Sequence, residues 1–238
     1  MDGSAIRHDA RMDEPLPDPD LQAPERTDYR AMVDGEEVGT GSLTLRADDD
    51  RTFVQAIEAE AYGRLKGSAT ITYRRRSGTL VAQQQRLELT DKGRHVLDET
   101  ASFRDVQVPQ IGGQLGPYSR SMVPVLGLAT AFRVLPLQDR ARFLPRVWVA
   151  AVVDWPLDIR VEGREKARVP AGDVDAWRIR LRPSLLDVAQ ALDELSAAVV
   201  PPIIAHVGVD GGRLLRLSFP TGPGRSDPSG VIEATAIA

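Results

Sequence analysis

Three histidines, His8, His95 and His206, are the only imidazoles the chain offers for metal ligation or for proton transfer near neutral pH. No two of them stand four apart with a nearby glutamate, as a helical zinc site requires, so the spacing assigns no metal ligand. Cysteine is absent, which removes disulfides, thiolate metal sites and thiol nucleophiles. The sequence carries no Gly-x-Ser-x-Gly elbow, no phosphate-binding loop and no dinucleotide fingerprint, and the glycines near residue 112 lack the strand and helix such a fingerprint needs. Paired carboxylates remain. Glu58 and Glu60 share one face of a predicted strand, with Asp98 in a neighbouring one, and such groups do acid–base work when their surroundings push their pKa values apart. His206 and Asp210 meet near one predicted turn. A solvated strand face and a surface hydrogen bond account for both arrangements, so no catalytic residue and no cofactor is assigned.

The tryptophans say more. Trp148, Trp155 and Trp177 are the only three, and all fall within about thirty residues, on or beside strands predicted to be sheet neighbours. Large aromatic side chains bury much surface and commonly line apolar cavities, although plain core packing uses them the same way.

These residues need elements to hold them, and the pattern supplies strands. Tyr29, Ala31 and Val33 alternate with polar neighbours, Asp34-Gly35 is a turn signal, and Val38 to Leu45 completes a hairpin. Further strands are predicted over 53–61, 69–73, 79–89 and 95–103, separated by Asp48-Asp49-Asp50, Ser77-Gly78 and Asp91-Lys92-Gly93. Their polar alternate residues point to a sheet with one wet face. After Pro109 the pattern changes: Ser121 is placed to cap a short helix through Met122, Val125, Leu126, Ala129 and Phe132. Strands return over 147–153, 156–161, 166–169 and 177–181, and the arginines Arg178, Arg180 and Arg182 are predicted to form a solvent face rather than an anion site. A second helix is expected over Ser184–Val199, where Leu185, Val188, Leu192, Leu195 and Val199 recur at three and four residues, with Ser184 as N-cap. A hairpin turning at Asp210-Gly211-Gly212, a Pro/Gly/Ser-rich loop over 220–230 and a strand over 231–237 close the chain.

Composition bounds the rest. Hydrophobic residues make up 42% of 238 and charged ones 27%, as in ordinary globular chains. Residues 1–28 hold eight acids against three arginines and four prolines, which predicts a disordered acidic tail ahead of a single domain over 29–238. An acidic arm of this kind is also the place where a protein partner is expected. Beyond it the charge is nearly balanced, and the basic run Arg74-Arg75-Arg76 reads as a hairpin end, so nucleic-acid binding is not expected. No stretch reaches the roughly 18 apolar residues of a transmembrane segment. No signal peptide is visible, so the expectation is a soluble protein, cytoplasmic as written and periplasmic if a signal was removed.

The opening Tyr29-Arg-Ala-Met-Val-Asp-Gly35-Glu-Glu-Val-Gly39, with Val161-Glu-Gly163, Val169-Pro-Ala-Gly172, Trp177-Arg-Ile179 and the closing Val209-Asp-Gly-Gly-Arg-Leu-Leu-Arg216, resembles a bacterial family of unknown function with β-rich, often exported members. The resemblance implies a strongly curved antiparallel sheet, a half-barrel or open barrel like those of the lipoprotein carriers and related lipid-binding proteins. It also implies two helices packed in or across the concave face, where those carriers hold acyl chains. The expectation is therefore binding of a lipid or other apolar small molecule by Trp148, Trp155, Trp177, Ile179, Phe132 and Leu192, without catalysis. An enzyme of isomerase or cyclase type using one acid in the same cavity, or a scaffold acting through sheet edges, are the rival expectations.

Overall fold

Period-two alternation organises the chain into one large sheet in the computed structural model, which describes residues 9–11, 15–21, 23–103, 107–109, 115–117, 121–149, 153–184, 201–222 and 227–238. The first strands are β1 (Asp9–Arg11), β2 (Leu16–Pro17), β3 (Glu25–Val33), β4 (Glu36–Asp49), β5 (Thr52–Ala61), β6 (Leu65–Arg76), β7 (Thr79–Asp91) and β8 (Arg94–Ser102). Short pieces follow: β9 (Gln107–Pro109), β10 (Leu115–Pro117) and β11 (Val123–Pro124), a 3₁₀ turn (Val125–Gly127), the helix α1 (Leu128–Val134), β12 (Arg142–Leu144) and β13 (Arg146–Val149). The chain ends in β14 (Val153–Val169), β15 (Gly172–Pro183), β16 (Ile203–Gly208), β17 (Leu214–Pro220) and β18 (Ser229–Ile237).

Hydrogen-bonded order in the main sheet is β1-β12-β14-β15-β16-β17-β18-β3-β4-β5-β6-β7-β2, with β8 also on β7. Most pairs are antiparallel. β1 on β12 and β11 on β13 are parallel, so the sheet is mixed, and its strand path does not close into a barrel. The predicted hairpin turns form as left-handed pairs, with Asp34 and Gly35 at φ 55° and 85° and Ser77 and Gly78 at 50° and 77°.

Three observations bend this path back on itself. At Gly39 and Gly41 an added Cβ would meet the backbone of Glu60 and Glu58 on β5, so β4 can crowd its neighbour there only through glycine. Next, β1 and β2 sit at opposite ends of the path, yet only five residue steps separate Arg11 from Leu16, a reach of at most about 18 Å. Finally, Phe103, just beyond β8, packs edge-on against Trp148 of β13 with ring centroids 5.1 Å apart, joining residues from opposite ends of the strand path.

The N-terminal expectation needs correction accordingly. β3 begins at Glu25 rather than Tyr29, Leu16 is 3% exposed in the core, and Asp18 is ion-paired to Arg75. The local sequence is too poor in apolar residues to predict this, because the neighbours that order it come from β4 and β7. The helices differ as well. One α-helix, seven residues long, stands among the described residues, where two were expected. It starts at Leu128, not after Ser121, because Val123 and Pro124 are already committed to pairing with Val147 and Trp148, and Gly127 caps it without a side-chain hydrogen bond. The second expected helix, Ser184–Val199, lies outside the described residues from 185 on; Ser184 itself directly follows β15 and donates its N–H to the Pro156 carbonyl at 2.8 Å.

α1 lies between two buried clusters. Ala131 packs with Leu45, Phe53, Ile71, Tyr73, Leu80 and Trp148, while Phe132 packs with Phe143, Ile159, Trp177, Ile179, Leu181 and Val207. A cross-strand row, Val161–Ile179–Ala205–Leu217–Ile232–Ala31–Gly39–Ala61–Leu65, runs apolar across nine strands and defines the inner face.

Candidate functional site

The expected ligand-lining residues do not form one group. Trp177, Ile179 and Phe132 come together in the cluster under α1 and are 5%, 0% and 3% exposed. Trp148 belongs to the other cluster. Trp155 stands opposite Val147, not Trp148, so alternation puts those two indoles on opposite faces of the β13–β14 ribbon. The Trp155 indole nitrogen is shielded from water and has no hydrogen-bond partner among the described residues. The Arg164 guanidinium covers the Trp177 ring at 4.3 Å, a cation–π contact that shields what little of the ring is exposed. Leu192 lies outside the described residues.

Sequence reading missed a polar group inside the apolar layer. Gln55 of β5, Tyr73 of β6, Gln85 of β7 and Thr130 of α1 are all buried. Gln55 and Gln85 stand on either side of Ile71 in the same cross-strand row, with Tyr73 diagonal to both. Gln55 Nε2 donates to the Leu126 carbonyl, and the Thr130 hydroxyl donates to Gln55 Oε1 at 2.7 Å. Two atoms are poorly met among the described residues: Gln85 Oε1 has no hydrogen-bond partner, and Tyr73 Oη has only the neighbouring Thr130 hydroxyl. Burial raises the Tyr73 phenol well above the ordinary tyrosine range, with Thr130 opposing it slightly. Gly127 makes room for this hydroxyl, since a Cβ there would collide with it. Spacing alone does not flag the quartet, because glutamines alternating with apolar residues read as a wet strand face.

The opposite face carries the charges in cross-strand order. Arg178, His206, Arg216, Glu233, Arg30, Thr40, Glu60, Lys66 and Thr90 form one continuous row. The arginine face predicted for β15 holds for Arg178 and Arg180, which share Glu162 at 2.7 and 3.0 Å. Arg182 departs from it. With Arg142 and Arg160 it surrounds the fully buried Asp158 at 2.8 to 3.0 Å. Burial alone would raise that carboxyl; the hydrogen bonds and charges of Arg142 and Arg160 outweigh it and hold the group below the usual range. His206 pairs with Glu165 at 2.6 Å rather than with Asp210.

Glu58 and Glu60 do share a face of β5, and Asp98 joins the Glu58 row through Ser68 and Glu88. That row floors a groove of about 690 Å³. An enclosed void beside Arg133, Arg213 and Glu25 has a volume of only about 10 Å³, at the lower limit for a water molecule. Among the described residues no three His, Asp or Glu side chains converge as a metal site, and no helix is long and apolar enough to cross a membrane.

No protein-family model matches the chain, and no curated protein matches it. A solved Bacteroides fragilis structure with a YmcC-like fold aligns over 94% of this chain and 100% of its own, at 7% identity and a TM-score of 0.33. A likeness that weak carries no argument about fold or function.

Proposed function

We propose that the protein binds an apolar small molecule or lipid on the inner face of the sheet, in the layer beneath α1. The observation that carries this reading is the pair of poorly met hydrogen-bonding atoms, Tyr73 Oη and Gln85 Oε1, buried with Gln55 and Thr130 inside an apolar layer. A buried group left unpaired costs about 1 to 3 kcal/mol, and neutral polar groups on a ligand would meet these atoms. Apolar sites with a few convergent polar groups are the common form of small-molecule pocket. Half-buried Leu43, Ile57 and Leu87, in one cross-strand row with Ala69, extend the apolar surface past the part that α1 covers. On this reading the half-barrel lipid carriers are the functional analogy, and Trp177, Ile179, Phe132 and Trp148 form packed walls rather than direct ligand contacts.

The test is native mass spectrometry of the protein purified from its own host, followed by extraction of what co-purifies. A stoichiometric apolar molecule is expected, and Tyr73→Phe is expected to reduce its retention several-fold without lowering the melting temperature. Trp177→Ala is the contrasting variant: it should destabilise the fold by about 3 to 5 kcal/mol, as removal of a core aromatic does. A bare mass that does not shift on adding fatty acids or phospholipids would overturn the proposal.

A further inference from the structure

Hydrogen-bond direction inside the buried quartet decides what its spare atoms have left to offer, a step that rests on the ligand-binding reading above. Only an amide nitrogen can donate to the Leu126 carbonyl, so Gln55 turns Nε2 that way and Oε1 toward Thr130. A carboxamide oxygen accepts and never donates. Thr130 therefore spends its single proton on Gln55 Oε1, at 2.7 Å, and keeps its lone pairs. The same hydroxyl cannot also donate to Tyr73. Burial keeps the Tyr73 phenol protonated, and its proton has the Thr130 oxygen as neighbouring acceptor.

The relay thus runs one way, from Tyr73 O–H to Thr130, from Thr130 O–H to Gln55, and from Gln55 N–H to Leu126. Its open end is the Tyr73 oxygen, whose remaining capacity is to accept. Gln85 Oε1, without a partner among the described residues, is a second acceptor, diagonal across β6 and β7, so each atom takes a donor of its own. Tyr73 lies in a cluster with Phe53, Ile71, Leu80, Met122 and Val123, surroundings in which an ammonium donor would be stripped of its hydration at high cost. The donor that fits is neutral. We propose that this layer selects an aliphatic alcohol, whose hydroxyl donates to Tyr73 Oη, over an ether, ester or ketone of the same size.

Calorimetric titration of the full chain with decanol and with its isomer methyl nonyl ether tests this. The two match in size and in acceptor oxygen, and only the alcohol donates. Decanol is expected to bind about tenfold or more tightly than the ether. Tyr73→Phe should weaken decanol without weakening the ether. Thr130→Val removes the acceptor of the Tyr73 proton, which is then free to reach the ligand, so the preference should move several-fold toward the ether. A purely structural role for Thr130 would weaken both ligands alike. Equal binding of the two by the unmodified protein would overturn the alcohol preference and leave the apolar site standing, whereas binding of neither would overturn both. A preference unchanged in Thr130→Val would overturn the relay and with it the assignment of Tyr73 as acceptor. Circular dichroism melts of each variant separate lost binding from lost folding.

Discussion

Replacing Asp158 with asparagine keeps the side chain's shape and removes the charge that three arginines share. Arg142, Arg160 and Arg182 approach the carboxylate at 2.8, 2.9 and 3.0 Å, and the Arg182 side chain is itself only 8% exposed. After the substitution that guanidinium stays buried beside two others without the carboxylate all three share. Breaking a buried pair from one side costs roughly 3 to 5 kcal/mol, and in a chain of this size that lowers the melting temperature by about 10 °C. Urea denaturation at neutral pH, followed by tryptophan fluorescence, reads the difference directly. Acid provides a second arm. An unfolded aspartate titrates near 3.9, and the Asp158 carboxyl in the fold lies lower. Its stabilisation is therefore complete above that value and is lost as pH falls through the folded value. The gap between wild type and Asp158→Asn should close on acidification. A neutral-pH loss under about 1 kcal/mol, or a gap that persists in acid, would refute the account of Asp158 as the charge that holds β12, β14 and β15 together.

Two further predictions concern the tyrosines. Burial raises the phenols of Tyr29 and Tyr73, so both should stay protonated in the folded protein when pH passes the value near 10 at which unfolded phenols ionise. That stabilisation is present below about pH 10 and is lost above it. Two of the chain's four tyrosines should therefore ionise only together with alkaline unfolding, read by ultraviolet absorbance against circular dichroism. Gly127→Ala should destabilise by roughly 1 to 3 kcal/mol by driving a methyl into Tyr73 Oη, and Tyr73→Phe in the same chain should restore most of the loss. Additive losses in urea melts would show that the two residues do not meet.

How much of this was legible in the sequence depended on how far each contact reaches. Hairpins were legible because Asp34-Gly35 and Ser77-Gly78 select left-handed turns from two adjacent residues. Sharing of one face by Glu58 and Glu60 was legible too, since it follows from the period of a strand. Which residues face them from β4, β6 and β7 depends on register. Register is set by turn geometry and by bulges such as those at Ala47/Asp49 and Thr72/Tyr73, which a local pattern does not display. Arg182 looked like one more member of an exposed row because the residue that buries its charge, Asp158, lies across the strand pair. Likewise the tryptophans are close in sequence yet divided in space, since Val147 and Trp148 turn to opposite faces and feed different clusters.

Arg11 and Leu16, five residue steps apart in the sequence, pair with strands at opposite ends of the path, β12 and β7. The covalent length between them caps how far those two strands can part, whatever happens to the contacts between them. Any opening of the sheet can proceed only up to that limit. Beyond it, three paired positions on β12 or two on β7 must peel away. Opening is then a step and not a gradual spread, and one proteolytic cut between Arg11 and Leu16 would abolish the step without touching the pairing of either strand.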